Sequence, residues 1–170
     1  VVLADAMEMS IATDSVAHAV SVWVVHSVAD PVRLFAEAAR VLRPGGRYVM
    51  CTGQRPAPDD RVGTILKEMT ARMDVLRGAS RPRGVTVDQV LVWARQAGFD
   101  GTAHELDRRW HSAPSQELAA IAQRSWPVMS ELDEAAIDEA TRPAIEALRA
   151  LPDDDCIRRA TADMLVLSQP

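Results

Sequence analysis

The chain has 170 residues, enough for a domain with its own core, and 48% of them are hydrophobic. A formal net charge of −5 and a pI of about 5.3 do not describe the basic face of a nucleic-acid binder, and no run approaches the roughly 18 apolar residues of a membrane span. Two cysteines, Cys51 and Cys156, are too few and too widely spaced for a disulfide scaffold or a zinc site, so a reduced, cytoplasmic compartment is expected.

Val1–Ala4 is a short apolar run ending at Asp5 and reads as the tail of a buried strand. His18–Val25 is Val-rich and reads as a fully buried parallel strand. Asp30-Pro31 is an N-cap with proline at the first helical position. Val32, Phe35, Ala36, Ala39 and Leu42 then share one helical face. Pro44-Gly45-Gly46 ends that helix, and Arg47–Thr52 reads as the next strand. Strand, helix and strand with short connections form a βαβ unit, which implies a parallel sheet.

Gly53–Asp60 reads as a loop, and Arg61–Leu76 has helical spacing through Val62, Ile65, Leu66, Met69, Met73 and Leu76. A basic turn with Arg77, Arg81 and Arg83 follows, read as a solvated loop. Thr86 and Gln89 form a capping box opening a helix that Gly98 ends, with Phe99 as its anchor. His104–Trp110 reads as a strand. Gln116–Leu132 and Asp133–Leu151 read as helices interrupted at Pro127 and Pro143. Asp153-Asp154-Asp155 is a turn before a last strand, Arg159–Gln169. His18, His26, His104 and His111 lack metal-ligand spacing, so no metal is expected. Trp93, Trp110, Trp126, Met69 and Met73 are better explained as core than as a substrate pocket.

Three pieces carry a family resemblance: Leu3-Ala4-Asp5-Ala6, then Ser21 to Val28 with its Val-Trp-Val-Val-His core, then Asp30-Pro31 through Val41-Leu42-Arg43-Pro44-Gly45-Gly46-Arg47. In order and spacing they resemble the second half of a class I S-adenosylmethionine-dependent methyltransferase domain of the type 11 kind. The resemblance implies an α/β, Rossmann-like fold: a mostly parallel sheet of order 3-2-1-4-5-7-6 with an antiparallel last strand. It implies S-adenosylmethionine as cofactor and a small-molecule methyl acceptor. Asp5 is then expected to accept from the adenine amine, the Ala6 backbone N–H to donate to the ring, and the Val22 main chain to meet the methionine portion. His26 is expected on the acceptor side, as an orienting group or general base.

The family's Gly-rich loop has no counterpart, because no G-x-G-x-G occurs in the sequence and the match begins at the third strand. The expectation is therefore a C-terminal fragment with the N-terminal strands missing and cofactor binding weak or incomplete. On this reading residues 1–170 are one partial methyltransferase domain, with helical cap insertions around 56–80 and 113–152. The alternative is a non-catalytic methyltransferase-like module that binds a partner or forms a homodimer through the open edge of His18–Val25.

Overall fold

A computed structural model describes residues 3–78, 85–154 and 156–169. In chain order the elements are β1 (Val16–Val22), α1 (Pro31–Val41), β2 (Leu42–Pro56), α2 (Arg61–Arg77), α3 (Val87–Gln96), β3 (Asp100–Ser112), α4 (Pro114–Ala122), a 3-10 helix (Pro127–Glu131), α5 (Glu134–Arg149) and β4 (Cys156–Ser168). The four strands form one sheet of order β1-β2-β4-β3. β1 and β2 run parallel, with His18 opposite Arg47 and Val22 opposite Cys51, and the other pairings are antiparallel. The expected α/β fold with an antiparallel last strand is the observed one.

The chain divides into two compact units. The first comprises Val1–Gln54, Gly84–Leu106 and Ala162–Pro170, and the second Arg55–Arg83 and Asp107–Thr161.

The first unit is built around α1. Asp30 accepts from the Arg33 N–H at 3.0 Å, and Pro31 occupies the first turn, where its missing N–H costs nothing. The buried stripe of α1 is Leu34, Phe35, Ala38 and Val41. Val32 and Ala36, assigned from the sequence to the inner face, are exposed. Spacing alone leaves that face undecided by a fraction of a turn, and the core fixes it on Phe35, which is fully buried and packs 6.0 Å from Tyr48 between ring centroids. Burying that ring contributes roughly 1.5–3 kcal/mol. At the end of α1, two carbonyls left without helical partners accept from the segment that leads into β1: Arg40 O from the Asp14 N–H and Val41 O from the Ser15 N–H, both at 3.0 Å.

The helix was expected to stop at Pro44-Gly45-Gly46, but α1 ends at Val41 and these residues form an irregularity inside β2. There the register with β1 passes from Val16–Leu42 to His18–Arg47, and glycine is needed for two different reasons. Gly45 sits at φ +73, the left-handed region. At Gly46 a Cβ would lie 2.7 Å from the Arg43 carbonyl oxygen and 3.1 Å from that of Ala17, both backbone atoms that cannot swing away. Gly46→Ala is therefore expected to lower stability by about 1 kcal/mol or more, read as a lower midpoint in urea unfolding. An unchanged midpoint would show that the irregular start of β2 opens freely.

Three expectations are corrected here. β1 ends at Val22 rather than Val25 and is not fully buried: Val20 is 72% and Val22 51% exposed. It is the terminal strand of the sheet, so one side has no neighbour among the described residues. Leu3 and Ala4 are not strand, and Leu3 is wholly exposed, because no strand pairs with them. Val1 and Val2 lie outside the described residues, as do Arg81, Arg83 and Asp155.

The second unit is helical around a core of its own. α2 packs on α5, with Met69, Met73, Ala140, Ala144 and Leu148 almost or entirely buried. The expected break at Pro143 does not occur: α5 runs through it. Proline removes one backbone hydrogen bond and strains the preceding turn. Ile137, Ala140, Ala144 and Leu148 keep helical spacing across it, and their burial holds the helix together. The preceding break falls earlier than expected, at Gln123–Ser125 rather than at Pro127, where Arg124 takes φ +54 after α4.

Candidate functional site

Asp5, Ala6, Val22 and His26 all belong to the first unit. Asp5 is exposed, and its Oδ1 accepts from the Met7 N–H at 2.8 Å, closing a tight turn that also brings the Glu8 N–H to the Asp5 carbonyl at 3.1 Å. A carboxylate has about four acceptor positions, so this turn leaves Oδ2 able to accept from an incoming donor. Ala6 is half-buried and packs, with Met7, against the core that contains Val25. Both predicted segments therefore border one core, Asp5–Ala6 through Ala6 and Val22–His26 through Val25.

The segment after Asp5 is held by α1. Met9 is bracketed by two side chains: its N–H donates to Glu37 Oε1 at 2.7 Å, and its carbonyl accepts from Arg40 Nη2 at 3.0 Å. Glu37 and Arg40 also pair directly at 2.7 and 2.8 Å. Arg33 reaches Glu8 at 3.0 Å, and Arg40 reaches Thr13 Oγ1 at 3.1 Å. No sequence pattern announced this bracket, because its partners lie 28 and 31 residues apart.

The Arg40 guanidinium holds the Glu37 carboxyl below its ordinary range. Partial burial opposes this, and the Met9 N–H adds to it. A carboxyl depressed in the folded state stabilises above its unfolded pKa, and that stabilisation is lost as pH falls through the folded value. Protection of the Met9 amide from hydrogen exchange, corrected for intrinsic rate, is expected to fade only in acid, below the range in which an ordinary glutamate protonates. Glu37→Gln should remove that pH dependence, and an identical profile in the variant would show that another group anchors the segment.

At the end of β1 the backbone direction can be derived. The Trp23 N–H donates to the Cys51 carbonyl of β2 at 3.1 Å. The peptide linking Val22 to Trp23 is trans, since the described residues hold no cis bond, so its C=O points opposite to its N–H. The Val22 carbonyl is therefore directed away from β2, toward the open side of the sheet. Trp23 then turns the chain at φ +59, a conformation that non-glycine residues seldom adopt. The Ser27 N–H closes the next turn onto the Val24 carbonyl at 2.8 Å, and His26 is exposed on it. His26 was expected at the strand's end, and it lies four residues beyond.

Other sequence candidates are packing residues. Trp93 borders the first core and Trp126 the second, and Met69 and Met73 are fully buried. Arg77 pairs with Asp74 at 3.0 Å and approaches Glu131 at 3.7 Å.

The largest electrostatic feature of the second unit was not legible in the sequence. Arg158 is 3% exposed, and its Nε lies 2.7 and 2.9 Å from the two carboxylate oxygens of Asp60. Its Nη1 donates to Glu117 at 2.9 Å, Glu117 also accepts from Ser112 Oγ at 2.8 Å, and the guanidinium stands 5.2 Å from the Trp110 ring. Asp60 in turn caps α2 by accepting from the Gly63 N–H at 2.7 Å. One local signal existed: strand alternation through Arg158, Ala160 and Ala162 puts this arginine on the buried side of β4.

Residues 1–50 match the model of a methyltransferase domain family. No curated protein matches the sequence. Among solved structures, a protein from Bacillus halodurans C-125 assigned as a methyltransferase superposes with a TM-score of 0.56 at 14% identity, over 98% of this chain and 70% of that one. The YcgJ protein of Bacillus subtilis gives 0.55 at 15% identity, over 98% and 69%. An S-adenosylmethionine-dependent methyltransferase from Thermotoga maritima gives 0.50 at 14%, over 98% and 62%. At these identities the superpositions establish the fold. The observed order β1-β2-β4-β3 is the 4-5-7-6 side of the sheet expected from the resemblance. The family match covers Asp5, the β1 strand and the Asp30–Gly46 segment, so residues 1–50 are similar to a methyltransferase domain and the chain as a whole shares the fold of these solved structures.

Proposed function

We propose that the first unit holds a methyl donor across the Asp5–Ala6 turn and the end of β1 and delivers its methyl group to a small organic molecule. What carries this reading is that the family match over residues 1–50 encloses Asp5, Ala6, Val22 and His26. The residues fit the donor's two ends. Asp5 Oδ2 can accept from an exocyclic amine, and the Ala6 N–H can donate to a ring nitrogen. The Val22 carbonyl, directed to the open side of the sheet, can accept from the ammonium of the methionine portion.

The bound donor supplies a sulfonium-activated methyl group, and the chain's part is placement. The Glu37–Arg40 bracket on Met9 fixes the segment that follows the purine-binding turn. Trp23, by reversing the chain, sends His26 out on the following turn, where it can orient the acceptor or take its proton.

The test is formation of S-adenosylhomocysteine on adding small amines, alcohols or thiols as acceptors. Acceptor-dependent product supports the reading, and His26→Gln should lower kcat more than it raises KM. Product formed only with a protein or a nucleic acid would overturn the small-molecule assignment.

One observation favours a second reading. β1 is the terminal strand and carries the exposed Val20 and Val22, the pattern of an edge that pairs with another chain. A homodimer through β1 would appear as a doubled mass in light scattering that Val20→Lys abolishes.

A further inference from the structure

The second unit contains a cavity of about 270 Å³, a volume suited to a small ligand. Its wall is largely apolar: Val62 and Pro114 are buried there, and Leu151 and Ile157 complete it. Ile157 is 60% exposed at the end of β4, an aliphatic side chain left to water.

The charged groups around this cavity can be sorted by whether they are already satisfied. Asp60 is neutralised by Arg158 at 2.7 Å. Asp59 accepts from Arg159 at 3.3 Å. Asp153, the neighbour of Asp154, accepts from the Ser115 N–H at 2.8 Å. Two lining residues of opposite sign are left, Arg61 at the start of α2 and Asp154 before β4. Neither forms an ion pair among the described residues, with each other or with any other group. An apolar cavity presenting one cation and one anion is complementary to a molecule that carries both charges and an aliphatic body.

We propose that this cavity binds a small zwitterion of the aliphatic α-amino acid class. The ligand's carboxylate faces Arg61, whose planar guanidinium can take it bidentately. Its ammonium faces Asp154, and its side chain covers Val62, Leu151 and Ile157. The inference goes beyond the methyl-transfer reading, because the site lies wholly within the second unit and needs no methyl donor.

The probes are L-leucine, leucinamide, which keeps only the ammonium, and 4-methylpentanoate, which keeps only the carboxylate. Each is titrated into the purified chain without methyl donor and followed by amide shifts in NMR. L-leucine is expected to saturate shifts around Arg61–Gly63 and at Asp154 and Ile157, with each single-charge analogue at least about tenfold weaker. Arg61→Gln and Asp154→Asn should each weaken L-leucine by about tenfold. Both residues are exposed, so the variants should keep the parent's melting temperature. L-leucine binding no better than its amide, binding unaltered in both variants, or no saturable shift with L-leucine would overturn the proposal.

Discussion

Arg158→Met is expected to destabilise the second unit by about 3–5 kcal/mol, the usual consequence of removing one partner from a buried charge pair. Arg158 and Asp60 are 3% and 2% exposed at their side chains, and Glu117 is 17% exposed. Without the guanidinium, two carboxylates remain in a space that water scarcely reaches. Methionine fills the stem's volume and stays flexible, so the loss reports the charge rather than a cavity. The consequence extends into α2, because Asp60 also caps that helix. Asp60→Asn should be milder, since an amide oxygen can still cap Gly63 and accept one bond from Arg158. Thermal unfolding followed by tryptophan fluorescence, to which Trp110 beside the guanidinium contributes, measures both variants. A loss below about 1 kcal/mol for Arg158→Met, the range of an exposed ion pair, would mean that water solvates this group.

The second large effect is on donor binding. Asp5→Asn is the informative substitution, because the side-chain oxygen can keep the Met7 N–H bond while the outward position changes from an acceptor to a donor. An amine donor then meets another donor. Hydrogen bonds to charged groups contribute about 1.5–3 kcal/mol, so affinity for S-adenosylhomocysteine should fall by roughly ten- to a hundredfold. Asp5→Ala should fall similarly and also loosen the turn. Equal affinity of Asp5→Asn and the parent would confine Asp5 to its turn-closing role.

The legible parts of the fold are those set by short-range chemistry. Asp30-Pro31, the Thr86–Gln89 capping box and the Gly98 helix end are legible because each is settled within about four residues. The parallel pairing of β1 with β2 followed from their short helical crossover. What could not be read depends on partners distant in the chain. The burial of β1 turned on whether a strand lies beside it, and Val20 cannot report that. Proline at 143 signals a break locally, yet packing against α2, far earlier in the chain, decides otherwise. Arg158 and Asp60 are 98 residues apart, and an arginine in a polar stretch looks like surface until its carboxylate is found. In the candidate site, Asp5, Ala6 and Val22 came from the family resemblance rather than from any property of their side chains. The Glu37–Arg40 bracket that holds the segment after Asp5 joins residues 28 and 31 positions apart and exists only in the folded chain.

The central claim is that the Asp5–Ala6 turn and the end of β1 form one surface for the methyl donor. Titration of the isotopically labelled chain with S-adenosylhomocysteine, followed amide by amide, tests it even where affinity is low. Shifts that rise together at Asp5–Met7 and at Ser21–Trp23, and that shrink in Asp5→Asn, are the predicted result. Saturable shifts confined to other residues, with both of these segments unmoved, would contradict it.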